Sequence, residues 1–412
     1  MADDESYDPF EEFNRAAGAG VVRDPYPELA ERRRKGAVQE ISFREITEQT
    51  GGSNDITPPP QLKIYGVLTH EAVSQVLRDG ATFSSSGYAA SIGIVMGRTI
   101  LQMDEPEHSR YRGLLQLAFT RKALAHWEAE LVAPVVHGLI DEFVDRGHAD
   151  LVRELSFPFP VSVIAGMMGL PDADLPRFHR KAVELISVGF DFERGVAASQ
   201  ALADIFRPVL EERRARPGSD LISVLAHAEL DGTRLTDEEI FAFLRLLAPA
   251  GAETTYRSSS NLLFGLLTHP EQLEALRSDR SLMAEAIEEG LRWEPPLTGI
   301  MRVSTRDAEV CGHLIPAGSV VYVSMGSANR NESRYQNPEA FDIFREPQQH
   351  MAFAYGPHRC LGQHLARMET TVALNAVLDR LPKLRLDPAW EDPHITGRGF
   401  RSPPKLPVLF DA

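Results

Sequence analysis

The chain has 412 residues, of which 43 are Lys or Arg and 59 are Asp or Glu, for a net charge of −16. Hydrophobic residues make up 43% and charged residues 25%, an ordinary globular composition that excludes a wholly disordered chain, collagen, a coiled coil and a disulfide scaffold. The acidic balance argues against nucleic acid as a partner, and no apolar run reaches the roughly 18 residues of a membrane span.

Met1-Ala-Asp-Asp-Glu-Ser lacks the basic and apolar regions of a signal peptide, so a cytoplasmic location is expected and neither cysteine, Cys311 or Cys360, is expected to be bridged. Residues 1–12 read as a loose, disordered acidic arm. Asp24-Pro25-Tyr26-Pro27 breaks the chain before a short helix, Glu28–Lys35. Strand patterns near Val38–Phe43 and Leu62–Leu68 flank a Gly- and Pro-rich loop at 50–60. Helical periodicity then dominates from His70 to Leu381, with stretches near 71–79, 106–118, 122–145, 160–168, 173–188, 196–214, 236–268, 270–277, 279–293 and 361–381. Strand patterns recur near Val310–Cys311, Ser319–Val323 and Leu406–Phe410. Length alone favours more than one domain. With no repeat and no linker between cores, the chain instead reads as one domain over 1–412, mainly α with small β-sheets.

The stretch 236–268 would form a helix of roughly 50 Å, longer than most. It carries Pro249 and Gly251 near its middle. Pro249 cannot donate to the Arg245 carbonyl, so a break is expected there, leaving backbone groups free to bind something. One possibility for Pro249 is that it fixes such a kink.

The segment Phe353-Ala-Tyr-Gly356-Pro-His358-Arg-Cys360-Leu-Gly362 reads as a glycine-rich loop presenting one cysteine at the start of a helix from Leu361. A helix N-terminus offers free N–H groups and partial positive charge, which favour thiolate and lower a cysteine's pKa. Gly362 permits close approach of a flat group. One thiolate held this way suits a single soft metal ligand, as in haem-thiolate centres.

This segment resembles the haem-binding loop of the cytochrome P450 family, F-x-x-G-x-(H or R)-x-C-x-G. Four further segments resemble the same family in the expected order. They are His108-Ser-Arg-Tyr-Arg112, Ala250-Gly251-Ala252-Glu253-Thr254-Thr255, Glu289-Gly-Leu-Arg292 and Pro338-Glu-Ala-Phe341-Asp-Ile-Phe-Arg345. Each alone is weak, but five in order are specific. The resemblance implies the cytochrome P450 fold, with haem b (iron protoporphyrin IX) between the long helix and the cysteine loop, and Cys360 as the iron ligand.

It also implies roles for the other residues. His108 and Arg112, four apart and so on one helix face, would bind haem propionates together with Arg302 and His358, while Arg110 on another face would be a surface cation. Phe353, Gly362, Ala250 and Gly251 would flank the porphyrin, the last two by leaving room for it and for a bound diatomic ligand. Thr254, three residues after Gly251, would face the same groove with its hydroxyl directed at bound oxygen, and Glu253 would relay protons from solvent. The alternative for these two is an exposed carboxylate beside a back-bonded threonine. Glu289, Arg292 and Arg345 would form a buried structural network, weak in net stability but costly to break. Cys311, in a hairpin pattern, is expected to be a small buried apolar residue, and no zinc spacing is present.

The implied activity is oxygen insertion, hydroxylation in the simplest case, into an apolar small organic substrate. Ile94, Leu247, Leu297, Ile300 and Phe400 are its expected pocket residues. The loop Ser84–Thr99, the region 173–195, the helix residues Phe243–Gly251 and the segment Leu297–Met301 would surround it, with Gly399–Ser402 closing it. Electrons would come from a ferredoxin or flavodoxin docking on a patch that includes Arg110, Arg359 and Arg367, and the protein is expected to be a monomer. Two rivals are a peroxygenase, against which Glu253-Thr254 argues, and a non-catalytic activator scaffold, against which Cys360 argues.

Overall fold

The computed structural model describes residues 8, 11, 14, 22–42, 62–186, 191–230 and 232–412. The expected acidic arm 1–12, apart from residues 8 and 11, lies outside the described residues, as do the 50–60 loop and the end of the 173–188 stretch.

The architecture is mainly α with small sheets. A five-stranded sheet has the order Val38–Glu40, Ile64–Val67, Val320–Ser324, Gly299–Ser304, Phe83–Ser84. Its pairs are antiparallel except Val320–Ser324 beside Ile64–Val67. A three-stranded sheet joins His148–Asp150 to Pro407–Leu409 and Arg385–Leu386. The alternation that marks Val38–Glu40 and Val320–Ser324 as strands buries Val38, Val321 and Val323 against the Ala72–Leu77 face of the His70–Arg78 helix.

The helical body packs around one long helix, Asp237–Thr268. Its start follows from Thr236 and Glu239: the Glu239 N–H donates to Thr236 Oγ1 and the Thr236 N–H donates to the Glu239 carboxylate at 2.8 Å. That reciprocal cap satisfies two backbone donors that a helix leaves open. Phe243, Leu244, Ala248 and Leu266 are fully buried, each large apolar side chain contributing about 1.5–3 kcal/mol. The buried Ser258 and Ser259 are tolerated because both donate to the Thr255 carbonyl, at 3.1 and 2.8 Å.

Several expectations are corrected. The break at Pro249 is absent: the helix runs continuously from Asp237 to Thr268 with Pro249 buried inside it. Packing on nearly every side holds the helix where one backbone bond is missing. The 122–145 stretch divides into Arg121–Trp127, a π turn Glu128–Val132 and Ala133–Asp141. Pro134 cannot donate to the Glu130 carbonyl, and the Ala133 N–H reaches back five residues to Glu128. The 279–293 stretch opens as a 3₁₀ turn, Arg280–Leu282, capped by Asp279, and is α-helical only from Met283 to Trp293. Unanticipated are the Asp220-capped helix Leu221–His227 and the central strand Gly299–Ser304. Cys311 is only partly buried; it sits in the turn of the 308–315 hairpin at φ 45°, its N–H donating to Gln75 at 3.2 Å.

Candidate functional site

The cysteine loop is held from behind. Gly356 takes φ 72°, and a Cβ there would fall 2.0 Å from the Leu77 carbonyl oxygen, so only glycine fits. The Cys360 N–H donates to the Phe353 carbonyl at 2.9 Å, closing the loop. Phe353 lies under the Arg367 guanidinium, 4.4 Å from its ring centre. On the other side the loop is open: no atom stands within 4 Å of where a Gly362 Cβ would be.

The helix begins at Gln363 rather than Leu361, and the Gly362 N–H reaches the Cys360 thiol. The expected lowering of the Cys360 pKa is corrected: burial pushes it up, outweighing that bond and the charges of Arg112, Arg367 and Arg359. Thiolate there calls for a cation larger in effect than these, such as a metal.

Beside the loop the fold gathers His108, Arg112, Arg302 and His358. The helix Glu107–Gln116 supplies the first two and the strand Gly299–Ser304 the third. The His108 and His358 rings are 4.1 Å apart. The Arg112 guanidinium donates to the Arg359 carbonyl at 2.6 Å, and Arg302, 5% exposed, donates to its neighbour's carbonyl, that of Met301, at 2.7 Å. Burial, reinforced by His108, Arg302 and Arg112, pushes the His358 pKa down to about 3. His108 is 1% exposed; its Nδ1 meets Glu105 at 3.0 Å, while its Nε2 is buried with no hydrogen-bond partner. An unpaired buried nitrogen is costly. Four basic groups meet one carboxylate at bonding distance, Glu105 on His108 Nδ1, which leaves His108 Nε2 without a partner and room for further anionic charge that the two propionates of a haem supply. The residues present therefore fit the group.

The long helix contributes the second surface. Ala250 is exposed, and Leu247, Gly251 and Thr254 are partly exposed, on a helix otherwise almost wholly buried here. Leu247, Ala250 and Thr254 have i, i+3, i+7 spacing and so share one face. At Gly251 a Cβ would meet Ile164 at 2.4 Å, so its small size admits the Pro158–Met168 helix. The Thr254 hydroxyl donates to the Ala250 carbonyl at 2.8 Å. Glu253 is 3% exposed and bound by Arg257, so it is not the exposed carboxylate of the alternative reading. Burial pushes its pKa up against the pull of Arg257.

Of the expected pocket residues, Leu297 and Phe400 are paired by a β-bridge, and Ile300 and Leu297 pack on the sheet's apolar face. Leu247 packs on the helical core. Ile94 stands apart, 56% exposed on the Gly93–Met96 turn. Arg359 and Arg110 are exposed. Arg367 is bound to Glu288 by bonds of 2.6 and 2.9 Å. A separate cavity of about 840 Å³ lies between Tyr26, Trp293, Glu294 and Arg401; its buried arginines Arg33, Arg330 and Arg401 are already paired with Glu332 and Glu294.

Sequence reasoning missed Glu105, Arg257, Ser402 and Glu369. Spacing offered a signal for two of them, since Glu105 is three residues before His108 and Arg257 four after Glu253. Glu369, 1% exposed, meets Thr255 of the long helix, and burial pushes its pKa up to about 8.

Among the described residues no helix is long and apolar enough to cross a membrane. The family model for cytochrome P450 matches residues 185–408. Among curated proteins, the cytochrome P450 monooxygenase PikC of Streptomyces venezuelae is 33% identical over 90% of this chain and 87% of its own length. The steroid C26-monooxygenase of Mycobacterium tuberculosis is 37% identical over 77% of this chain and 87% of its own. The crystal structure of CYP109E1 from Bacillus megaterium in complex with testosterone superposes with a TM-score of 0.83 at 32% identity, covering 94% of this chain and 100% of that one. The chain belongs to the cytochrome P450 family of haem-iron monooxygenases.

Proposed function

We propose that this protein is a haem b monooxygenase, one catalytic domain over 1–412, that inserts one oxygen atom into an apolar small organic substrate, with Cys360 as iron ligand and a ferredoxin or flavodoxin as electron donor. The observation that carries this reading is the cradle of His108, Arg112, Arg302 and His358 beside Cys360, with its unpartnered His108 Nε2. Haem bound there through a thiolate supplies the activation of dioxygen, including O–O cleavage.

The chain's residues do the rest. Arg112 and Arg302 neutralise the propionates, and His108 and His358 offer them ring nitrogens to bind. Phe353 and Gly362 leave one face of the loop flat and open. Ala250 keeps the opposite face clear. Thr254 offers a hydroxyl that turns from the Ala250 carbonyl toward the groove, and Glu253 holds or moves a proton at its carboxylate. Leu247, Leu297, Ile300 and Phe400 supply apolar walls, and Ile94 would join them if its turn folds inward. A relative named for a steroid and a structure holding testosterone accord with an apolar substrate. Arg110 and Arg359 would face the electron donor of a cytoplasmic monomer.

The test is the absorption spectrum of the purified holoprotein, reduced and exposed to carbon monoxide, with testosterone and other apolar compounds added to the oxidised form. The red-shifted carbonyl band of thiolate-ligated haem supports Cys360, and a low- to high-spin shift identifies the substrate class. A band typical of histidine ligation would sink the assignment.

A further inference from the structure

Arg257 is one of the largest fully buried side chains, 1% exposed in the middle of the long helix. Its Nε and Nη2 both donate to Glu253 Oε2, at 3.3 and 3.2 Å. Its Nη1 donates to Ser402 Oγ at 2.9 Å and its Nη2 also to Asn14 Oδ1 at 3.0 Å. The guanidinium lies 4.6 Å from the centre of the Tyr256 ring and 5.6 Å from that of Phe400. All three guanidinium nitrogens are engaged, yet the Glu253 carboxylate is bound through one oxygen only; Oε1 has no hydrogen-bond partner among the described residues.

Ser402 closes a tight hairpin. It pairs with Thr396, and Gly397 turns the chain at φ 108°, where a Cβ would strike the Phe400 carbonyl oxygen at 2.1 Å. The same hairpin carries Phe400, bridged to Leu297 on the apolar wall. One rigid turn thus presents Phe400 to the pocket and Ser402 to the arginine that grips Glu253.

We propose that Arg257 is a positioning residue for oxygen activation: it holds Glu253 by Oε2 so that Oε1 remains available to exchange a proton, and it ties that orientation to the 396–402 hairpin bearing Phe400. The inference rests on Glu253 as the proton-handling group of the proposed function. A planar fork suits the task, because a lysine ammonium cannot reach Glu253, Ser402 and Asn14 with fixed geometry. The carboxylate's burial raises its affinity for a proton and the arginine restrains it, so the pair is poised to exchange rather than to stay permanently ionised.

The experiment compares wild type with Arg257→Gln, Arg257→Lys, Ser402→Ala and Glu253→Gln. All are holoproteins checked for equal haem content and for the thiolate-type carbonyl band. NADPH-driven oxygen consumption, supported by a surrogate bacterial ferredoxin and reductase and requiring no added substrate, is measured in H₂O and D₂O. The infrared band of a protonated carboxyl, identified by its loss in Glu253→Gln, is read at neutral pH. In Arg257→Gln the band should grow and oxygen consumption should fall about tenfold, the worth of one hydrogen bond to a charged group, with a solvent isotope effect about twice that of wild type. Arg257→Lys should keep the weak band but share the raised isotope effect, and Ser402→Ala should show it in smaller measure. If Arg257→Gln does not fold, these two variants carry the test.

A wild-type isotope effect in the arginine variants, with an altered one in Glu253→Gln, overturns the role of Arg257. A change in the arginine variants with none in Ser402→Ala overturns the tie to the hairpin. No change in Glu253→Gln overturns the proton-handling reading itself, independently of Arg257.

Discussion

Two buried acid–arginine networks have nearly the same composition and opposite construction. In the first, Arg292 donates to both oxygens of Glu289, at 2.6 and 2.8 Å, and to the carbonyls of Asn329, Pro338 and Ala340; the Asp342 N–H and Arg345 complete the Glu289 shell. In the second, the acceptors that Arg257 finds among the described residues are side chains: Glu253, Ser402 and Asn14. Backbone acceptors cannot turn away without unfolding their segment, whereas side-chain acceptors need only rotate. The first network has one arrangement and pins the 338–345 segment. The second has alternatives, as a group that must exchange protons requires.

The largest effect should come from breaking the first. Glu289→Ala leaves Arg292 buried without its carboxylate, at a cost of about 3–5 kcal/mol. The fraction of expressed protein that is folded and haem-loaded, read from the carbonyl band, should fall severely. A normal yield of holoprotein would show that the backbone acceptors alone suffice. Glu253→Gln should do the reverse, leaving haem content near wild type while slowing turnover by about a hundredfold, within the range of lost general acid–base catalysis. Equal loss of holoprotein in both variants would erase the distinction between the networks.

Thr254→Ala probes the same helix more gently. Among the described residues its hydroxyl bonds only to the Ala250 carbonyl, so stability should change little. Product formed per NADPH should drop about tenfold or less, a single hydrogen bond's worth, with the missing electrons recovered as hydrogen peroxide. Unchanged coupling would remove Thr254 from the proton path.

The contrast also explains what could be read in advance. The cysteine loop was legible because its constraints are local: Gly356, Cys360 and Gly362 lie within seven positions. The Glu289–Arg292 pair was legible for the same reason. Gly251 was only half legible, because a small residue announces close approach without saying of what, and one neighbour is Ile164. Pro249 suggested a break because its local cost is real, but burial of the surrounding helix overrides it. Arg257 stood at visible spacing from Glu253, yet its meaning depends on Ser402, 145 residues away. Orientation and long-range partners are written in packing, which periodicity does not carry.

A third ion pair lies between the two extremes and should show the smallest effect. Glu288 bonds Arg367 and His350 and is 30% exposed. Burial pushes its pKa up, but the hydrogen bonds from Arg367 and His350 overcome this and hold it down at about 2. A carboxylate with a depressed folded-state pKa contributes stability that is present above its unfolded value of about 4.5 and is lost as pH falls toward 2. The full shift would correspond to about 3 kcal/mol; solvent screening at this exposure reduces it to about 1–2 kcal/mol. Glu288→Gln should therefore be less stable than wild type by that amount at pH 7, measured by denaturant unfolding. The gap should close below about pH 4.5 as the wild-type carboxylate is protonated. A gap independent of pH would mean that the side chain acts by packing the Arg367 guanidinium onto Phe353 rather than through its charge, placing this pair with the backbone-anchored network instead of between the two.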